Sequence, residues 1–132
     1  MKTERARLDA LPSTYPKLFP KGPLTWGFEH GDGWAELVCG LCADLDELLR
    51  ECPQAFIEVR QVKEKFGQLR FYYTAHGVSK ELRDGLRNLV DKAERASGHI
   101  CERCGSDAAS LRQTDSGWLA TLCPRCQAAL YT

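Results

Sequence analysis

The sequence predicts an α+β fold in which a small antiparallel sheet packs on two helices, and three observations predict it. Apolar residues recur at helical spacing in two stretches, Trp34 to Leu48 and Leu82 to Ala93. Between them, Phe56 to Tyr73 alternates and turns back once, as a hairpin does. Downstream of both stand two Cys-x-x-Cys pairs, a compact element of their own. The division follows: an N-terminal arm over 1–23, a helix–hairpin–helix unit over 24–98, and a cysteine module over 99–132 docked on it as one compact domain.

Residues 1–12 read as a polar arm of weak helical character ending at Leu11-Pro12, and Tyr15-Pro-Lys-Leu-Phe19 as an apolar turn that packs on the main body. Pro20-Lys-Gly-Pro23 is a loop. The segment from Trp26 to Trp34 is dense in glycine and aromatics and leads into the first helix, Gly33 to Glu51, which stops before Pro53. Asp32 is its candidate N-cap, and Glu36 falls near the positive end of the helix dipole. Trp34, Val38, Leu41, Leu45 and Leu48 form the buried stripe, while Glu36, Asp44, Asp46, Glu47 and Glu51 make the opposite face acidic.

In the hairpin, Phe56–Lys63 is one strand and Gln68–Tyr73 the other, with Glu64-Lys-Phe66-Gly67 as the turn. Leu69, Phe71 and Tyr73 share one face, Arg70 and Tyr72 the other. Ser79 caps the second helix, which runs to Ser97 with Leu82, Leu86, Leu89, Val90 and Ala93 inward.

The cysteine module carries the strongest chemical signal. Cys101-Glu-Arg-Cys104 and Cys123-Pro-Arg-Cys126 are separated by eighteen residues. A two-residue gap lets one tight turn aim both sulfurs at one point, and two such turns close a tetrahedron around Zn²⁺ with Zn–S of about 2.3 Å. The spacer holds two short strands, Leu111–Gln113 and Trp118–Leu122, around the turn signal Asp115-Ser-Gly117. Pro124 then opens a short helix. Knuckle, hairpin and helix in that order read as a treble-clef-like zinc module. Cys101, Cys104, Cys123 and Cys126 are therefore the metal ligands, one Zn²⁺ per chain. All four positions are cysteine, which leaves no place for water and makes the site structural. Disulfides or free thiols are the competing readings of the same cysteines.

Composition excludes several classes. The 132 residues carry 18 basic and 18 acidic side chains, whereas a generic polyanion binder carries a basic excess. No apolar run approaches the ~18 residues of a membrane span. The first residues lead into no secretory apolar core, and seven cysteines without one indicate a reducing cytoplasm.

At this point three motifs carry a resemblance. Gly27-Phe-Glu-His-Gly-Asp-Gly-Trp34, Gln61-Val-Lys-Glu-Lys-Phe-Gly-Gln-Leu-Arg-Phe-Tyr72 and Gly117-Trp118 with Thr121-Leu-Cys123 resemble a family of small uncharacterised proteins found mainly in phages, prophages and bacteria. The resemblance spans residues 15 to 126. It implies a small cytoplasmic zinc protein, of the kind engaged in phage–host conflict, and carries no activity. Relatives often place His where Cys126 stands, which keeps a zinc ligand, and Cys where His30 stands.

The remaining candidates are weaker. Cys39-Gly-Leu-Cys42 lies in mid-helix, where it reads as structural thiols; a second metal drawn from Cys39, Cys42, Cys52 and His30, or a redox pair, are the alternatives. His99 is placed to support the zinc site from behind its ligands. No Ser-His-Asp set, phosphate-binding glycine loop or paired carboxylates can be read, so no enzyme is expected. Over residues 53–80 five basic side chains face two acidic ones, with Phe66, Tyr72 and Tyr73 interleaved. Arg60, Lys63, Lys65, Phe66 and Arg70 thus mark a partner-binding surface. The expected function is a zinc-stabilised, non-enzymatic protein-binding module, an inhibitor or immunity protein. The alternative is a nucleic-acid-binding zinc protein using the 60–73 hairpin. A hairpin whose aromatics fill the core and whose cations meet the acidic helix is the plainer reading of the same residues.

Overall fold

The computed structural model describes residues 3–114 and 116–130, Leu130 in its backbone only. Asp115 of the expected turn signal lies outside the described residues. The architecture is α+β. In chain order it comprises α1 (Glu4–Asp9), α2 (Leu11–Thr14), β1 (Phe28–Glu29), a 3₁₀ turn (Asp32–Trp34), α3 (Ala35–Leu49), β2 (Phe56–Lys65), β3 (Gln68–His76), α4 (Lys80–Ser97), β4 (Ser110–Gln113), β5 (Leu119–Leu122) and α5 (Pro124–Leu130).

The two long helices form where the apolar periodicity places them. Val38, Leu41, Cys42, Leu45 and Leu49 of α3 and Leu86, Val90 and Ala93 of α4 are buried in one core with Ile57, Val59, Val62, Leu69 and Phe71 of the hairpin. Ser79 caps α4, its hydroxyl accepting from the Leu82 N–H at 3.1 Å. At the end of α3, the Lys17 ammonium donates to the carbonyls of Leu49 and Cys52, satisfying groups that a helix terminus leaves open.

Four details depart from the sequence expectation. The N-terminal segment is not a loose arm: α1 and α2 bury Leu8 and Leu11, and Arg5 donates to Asp32 and to the carbonyls of Phe28 and His30. Asp32 is not the N-cap of α3, because its carboxylate is taken by Arg5 at 2.8 Å; the chain enters through the 3₁₀ turn instead, and α3 begins at Ala35. Asp46 does not belong to the solvated acidic face; it is buried and paired with Arg50. The sheet is also more than a hairpin, since β1 adds to β2 in parallel, in the order β1-β2-β3.

β2 and β3 pair antiparallel with a bulge between Val59 and Gln61. The extra residue resets the inward phase, so that burial passes from Ile57 and Val59 to Val62, and it leaves Arg60 outside the ladder. The strands run on to Lys65 and restart at Gln68, so Phe66 and Gly67 alone make the turn. Its two residues have φ of 54° and 81°, the double left-handed pattern of a type I′ hairpin. Leu69 and Phe71 on the free side of β3 donate their N–H groups to Ser97 Oγ and Glu94 Oε2 of α4, which covers that part of the sheet edge. Among the described residues, no helix is long and apolar enough to cross a membrane.

Candidate functional site

The four cysteines converge. Cys101 and Cys104 lie on a knuckle closed by the Cys101 N–H donating to the Ser106 carbonyl at 2.7 Å and the Gly105 N–H donating to the Cys101 carbonyl at 2.9 Å. Cys123 ends β5, and Cys126 stands in the first turn of α5, behind Pro124. The Cys126 N–H is directed at the Cys123 sulfur at 3.4 Å. All four sulfurs lie within 4.8 Å of one another, and Cys104 Sγ is 3.7 Å from Cys123 Sγ. Two ligands of a tetrahedral ion with bonds of about 2.3 Å stand about 3.8 Å apart, so the spacing fits a bound metal ion.

Electrostatics agrees. Burial works to raise the Cys101 thiol, but the backbone amides of Cys123, Cys104 and Arg103 overcome it and bring it down to about 6. The Cys126 amide lowers Cys123 in the same way. Cys126 is pushed up to about 12 by burial and then by its sulfur neighbours, the cost of gathering several thiolates at one point. A divalent cation among them removes that cost.

The knuckle is seated on the Gly31-Asp32-Gly33 loop. Gly31 donates to Glu102 Oε2 at 2.8 Å, Gly33 donates to the Glu102 carbonyl at 2.7 Å, and Trp34 Nε1–H donates to the Ile100 carbonyl at 2.7 Å. The two glycines are there for close approach: a Cβ at Gly33 would stand 2.1 Å from the Cys101 carbonyl oxygen, and one at Gly31 would stand 2.4 Å from that of Glu102. Sequence reasoning did not assign these glycines. Their signal was the dense glycine spacing just before a buried tryptophan.

The other end of the module meets the tip of the sheet hairpin. Thr121 of β5 is buried and donates its hydroxyl to the Gly67 carbonyl, and Leu111 of β4 lies over the Gly67 backbone. This contact places the two hairpins side by side. Lys63, Glu64, Lys65 and Phe66 from one and Gly117, Trp118 and Leu119 from the other line a single groove of about 330 Å³.

Of the partner-surface candidates, Phe66 is 67% exposed and does not fold back over the core. Its backbone is held in the left-handed region, which is costly for a bulky side chain. The Lys65 ammonium lies 5.8 Å from its ring centroid. Lys63 and Arg70 are direct cross-strand partners, with Glu29 of β1 beside Lys63. Arg60 sits apart at the bulge, bonded to Thr74 and paired with Glu58. Trp118, also 67% exposed, reads in the sequence as a strand and motif residue with no binding role, because its place in the groove beside Phe66 depends on the docking of two elements far apart in sequence.

The remaining candidates gather no chemistry. Cys39, Cys42, Cys52 and His30 form no metal-holding group among the described residues. Cys42 is fully buried and its thiol is raised by desolvation; Cys39 is half-buried and raised for the same reason. His99 is exposed, and among the described residues no hydrogen bond joins its ring to a cysteine ligand, so it does not support the metal site. The support comes instead from backbone amides of the knuckles. No family model, no curated protein and no solved structure matches the chain.

Proposed function

We propose that this chain is a zinc-stabilised, non-enzymatic protein-binding module whose partner surface is the tip of the sheet hairpin. Four thiolates select soft or borderline ions in tetrahedral geometry, and Zn²⁺ is the common one that needs no redox partner. With every coordination position held by sulfur, such an ion offers none to a substrate; its task is to fold the knuckle and hairpin. The observation that carries the binding role is Phe66. A large aromatic ring stands in solvent at a turn position that asparagine or glycine fills with less strain. Strained backbone persists where the surrounding structure holds it and clusters at functional sites. Lys63 and Lys65 share the groove with the ring, and Arg70 stands across the ladder from Lys63; together they give the surface a sign, which favours steering of an acidic partner.

The test is affinity purification from the native host with the wild-type chain, Phe66→Ala, and the pair Lys63→Glu/Lys65→Glu, each first shown to melt as the wild type does. A protein retained by the wild type and lost from both variants supports the reading, with the charge pair acting mainly on association rate. Equal retention by both folded variants removes the hairpin from the mechanism. Material that absorbs as nucleic acid and leaves with salt favours the alternative reading of the hairpin as a nucleic-acid surface.

A further inference from the structure

The hairpin tip does not act alone. Thr121 and Leu111 clamp Gly67, and with the two hairpins so joined Trp118 lines the same groove as Phe66. Two exposed aromatic rings from separate elements thus border one concavity, the placement expected of an anchor pocket rather than of scattered surface residues. At about 330 Å³ the groove is at the small end of ligand clefts, which run from about 300 to 1,000 Å³; it suits one or two side chains.

Cations outnumber anions in its lining: Lys63 and Lys65 stand against Glu64, whose carboxylate is engaged at the turn, accepting from the Gly67 N–H at 2.7 Å. We propose that this groove takes an acidic segment of a partner protein, with one large apolar side chain seated between Phe66 and Trp118 and flanking carboxylates held by Lys63 and Lys65. The inference rests on the protein-binding reading above and adds the seat, the second aromatic and the ligand class. A nucleic-acid strand is the less fitting occupant, because it needs a track of cations matched to successive phosphates. Here the lining of the groove offers two cations, Lys63 and Lys65, and the whole chain balances 18 basic with 18 acidic residues.

The experiment uses the zinc-loaded full chain against a displayed library of random short peptides, with a labelled oligothymidine run in parallel. Enriched peptides are expected to carry one aromatic or large aliphatic residue flanked by Asp or Glu. A synthetic peptide of that pattern should bind the wild type and weaken by about tenfold or more in Trp118→Ser and in Lys63→Glu/Lys65→Glu. Arg83→Glu, on α4 away from the groove, should bind as the wild type does. Trp118 is mostly solvent-exposed, so Trp118→Ser should keep the wild-type melting curve. Failure to enrich any peptide, a consensus without acidic residues, or undiminished binding by folded Trp118→Ser overturns the groove. The wider protein-binding reading is decided separately, by partner retention in the Phe66 and lysine variants. Oligothymidine binding that Trp118→Ser abolishes overturns both in favour of nucleic acid.

Discussion

The backbone N–H of Gly33 donates to the carbonyl of Glu102 at 2.7 Å, joining the entry of α3 to the first cysteine knuckle across most of the sequence. The bond is possible only because Gly33 has no side chain, since a Cβ there would stand 2.1 Å from the Cys101 carbonyl oxygen. Gly33→Ala must therefore separate the knuckle from its seat. A loss of roughly 2 kcal/mol or more is expected in chemical denaturation, in the range of substitutions that break packed contacts. Gly40→Ala is the matched control. Gly40 lies in α3, exposed, and a Cβ there meets nothing within 4 Å. That variant should gain about 0.5–1 kcal/mol from helix propensity. Equal behaviour of the two variants would contradict the docking.

Metal content gives the second prediction. One equivalent of zinc should co-purify with the chain, and a strong chelator should lower the melting temperature. Cys104→Ser should lose the metal and unfold the region after Ile100 first, because apparent folding energy on the order of 10 kcal/mol resides in such ion binding. Cys126→His, which exchanges one zinc-binding side chain for another, should keep it. Elemental analysis without metal, together with four native thiols open to a thiol reagent, would end the zinc reading.

The elements that were legible in sequence are those governed by local periodicity or fixed spacing. The stripes of α3 and α4, the Phe56–Tyr73 hairpin and the cysteine quartet each state their pattern within a short window. What was not legible depends on distant partners. Asp32 has the chemistry of a cap, but Arg5, 27 residues upstream, competes for its carboxylate. Phe28 and Glu29 are too short a run to announce a strand, and only Val62 and Lys63 make them one. The N-terminal helices are polar on average and become structural through a few residues, chiefly Leu8, Leu11 and Arg5. The groove is the extreme case, since it exists only once Thr121 has met Gly67.

Glu94 gives a prediction in pH. Burial between α4 and β3 raises its carboxyl above the usual range, against the opposing effects of the Phe71 N–H and Arg70, and Asp91 raises it further. The folded chain therefore holds this proton more tightly than the unfolded chain does. The stabilisation is fully present below the ordinary glutamate value and is lost as pH rises through the raised folded value. Glu94→Gln keeps an acceptor for Phe71 but cannot ionise. Its stability relative to the wild type should increase as pH is taken from about 4 to about 7. Glu94→Ala should follow the same pH trend relative to the wild type but lie about 1 kcal/mol below Glu94→Gln at every pH, from an unpaired Phe71 N–H. Denaturation curves across that range check both; a Glu94→Gln difference that is flat in pH would contradict the assignment.

Phe66 separates stability from function most directly. Its left-handed backbone costs a non-glycine residue about 1–2 kcal/mol, and asparagine tolerates that region far better. Asn-Gly is the preferred pair for a two-residue type I′ turn. Against this, Phe66→Asn removes the contact with the Lys65 ammonium, which at an exposed site is worth about 0.5–1 kcal/mol, and little buried area, because the ring is 67% exposed. The strain term is the larger, so Phe66→Asn should raise stability by up to about 1 kcal/mol and shift the melting temperature upward. The same variant should lose the partner, since the ring that anchors it is gone. A protein made more stable and less functional by one exposed substitution shows that the ring is retained for binding. A fall in melting temperature would instead mean that Phe66 serves the fold, and the partner surface would have to be sought on the acidic face of α3 around Asp44 and Glu47.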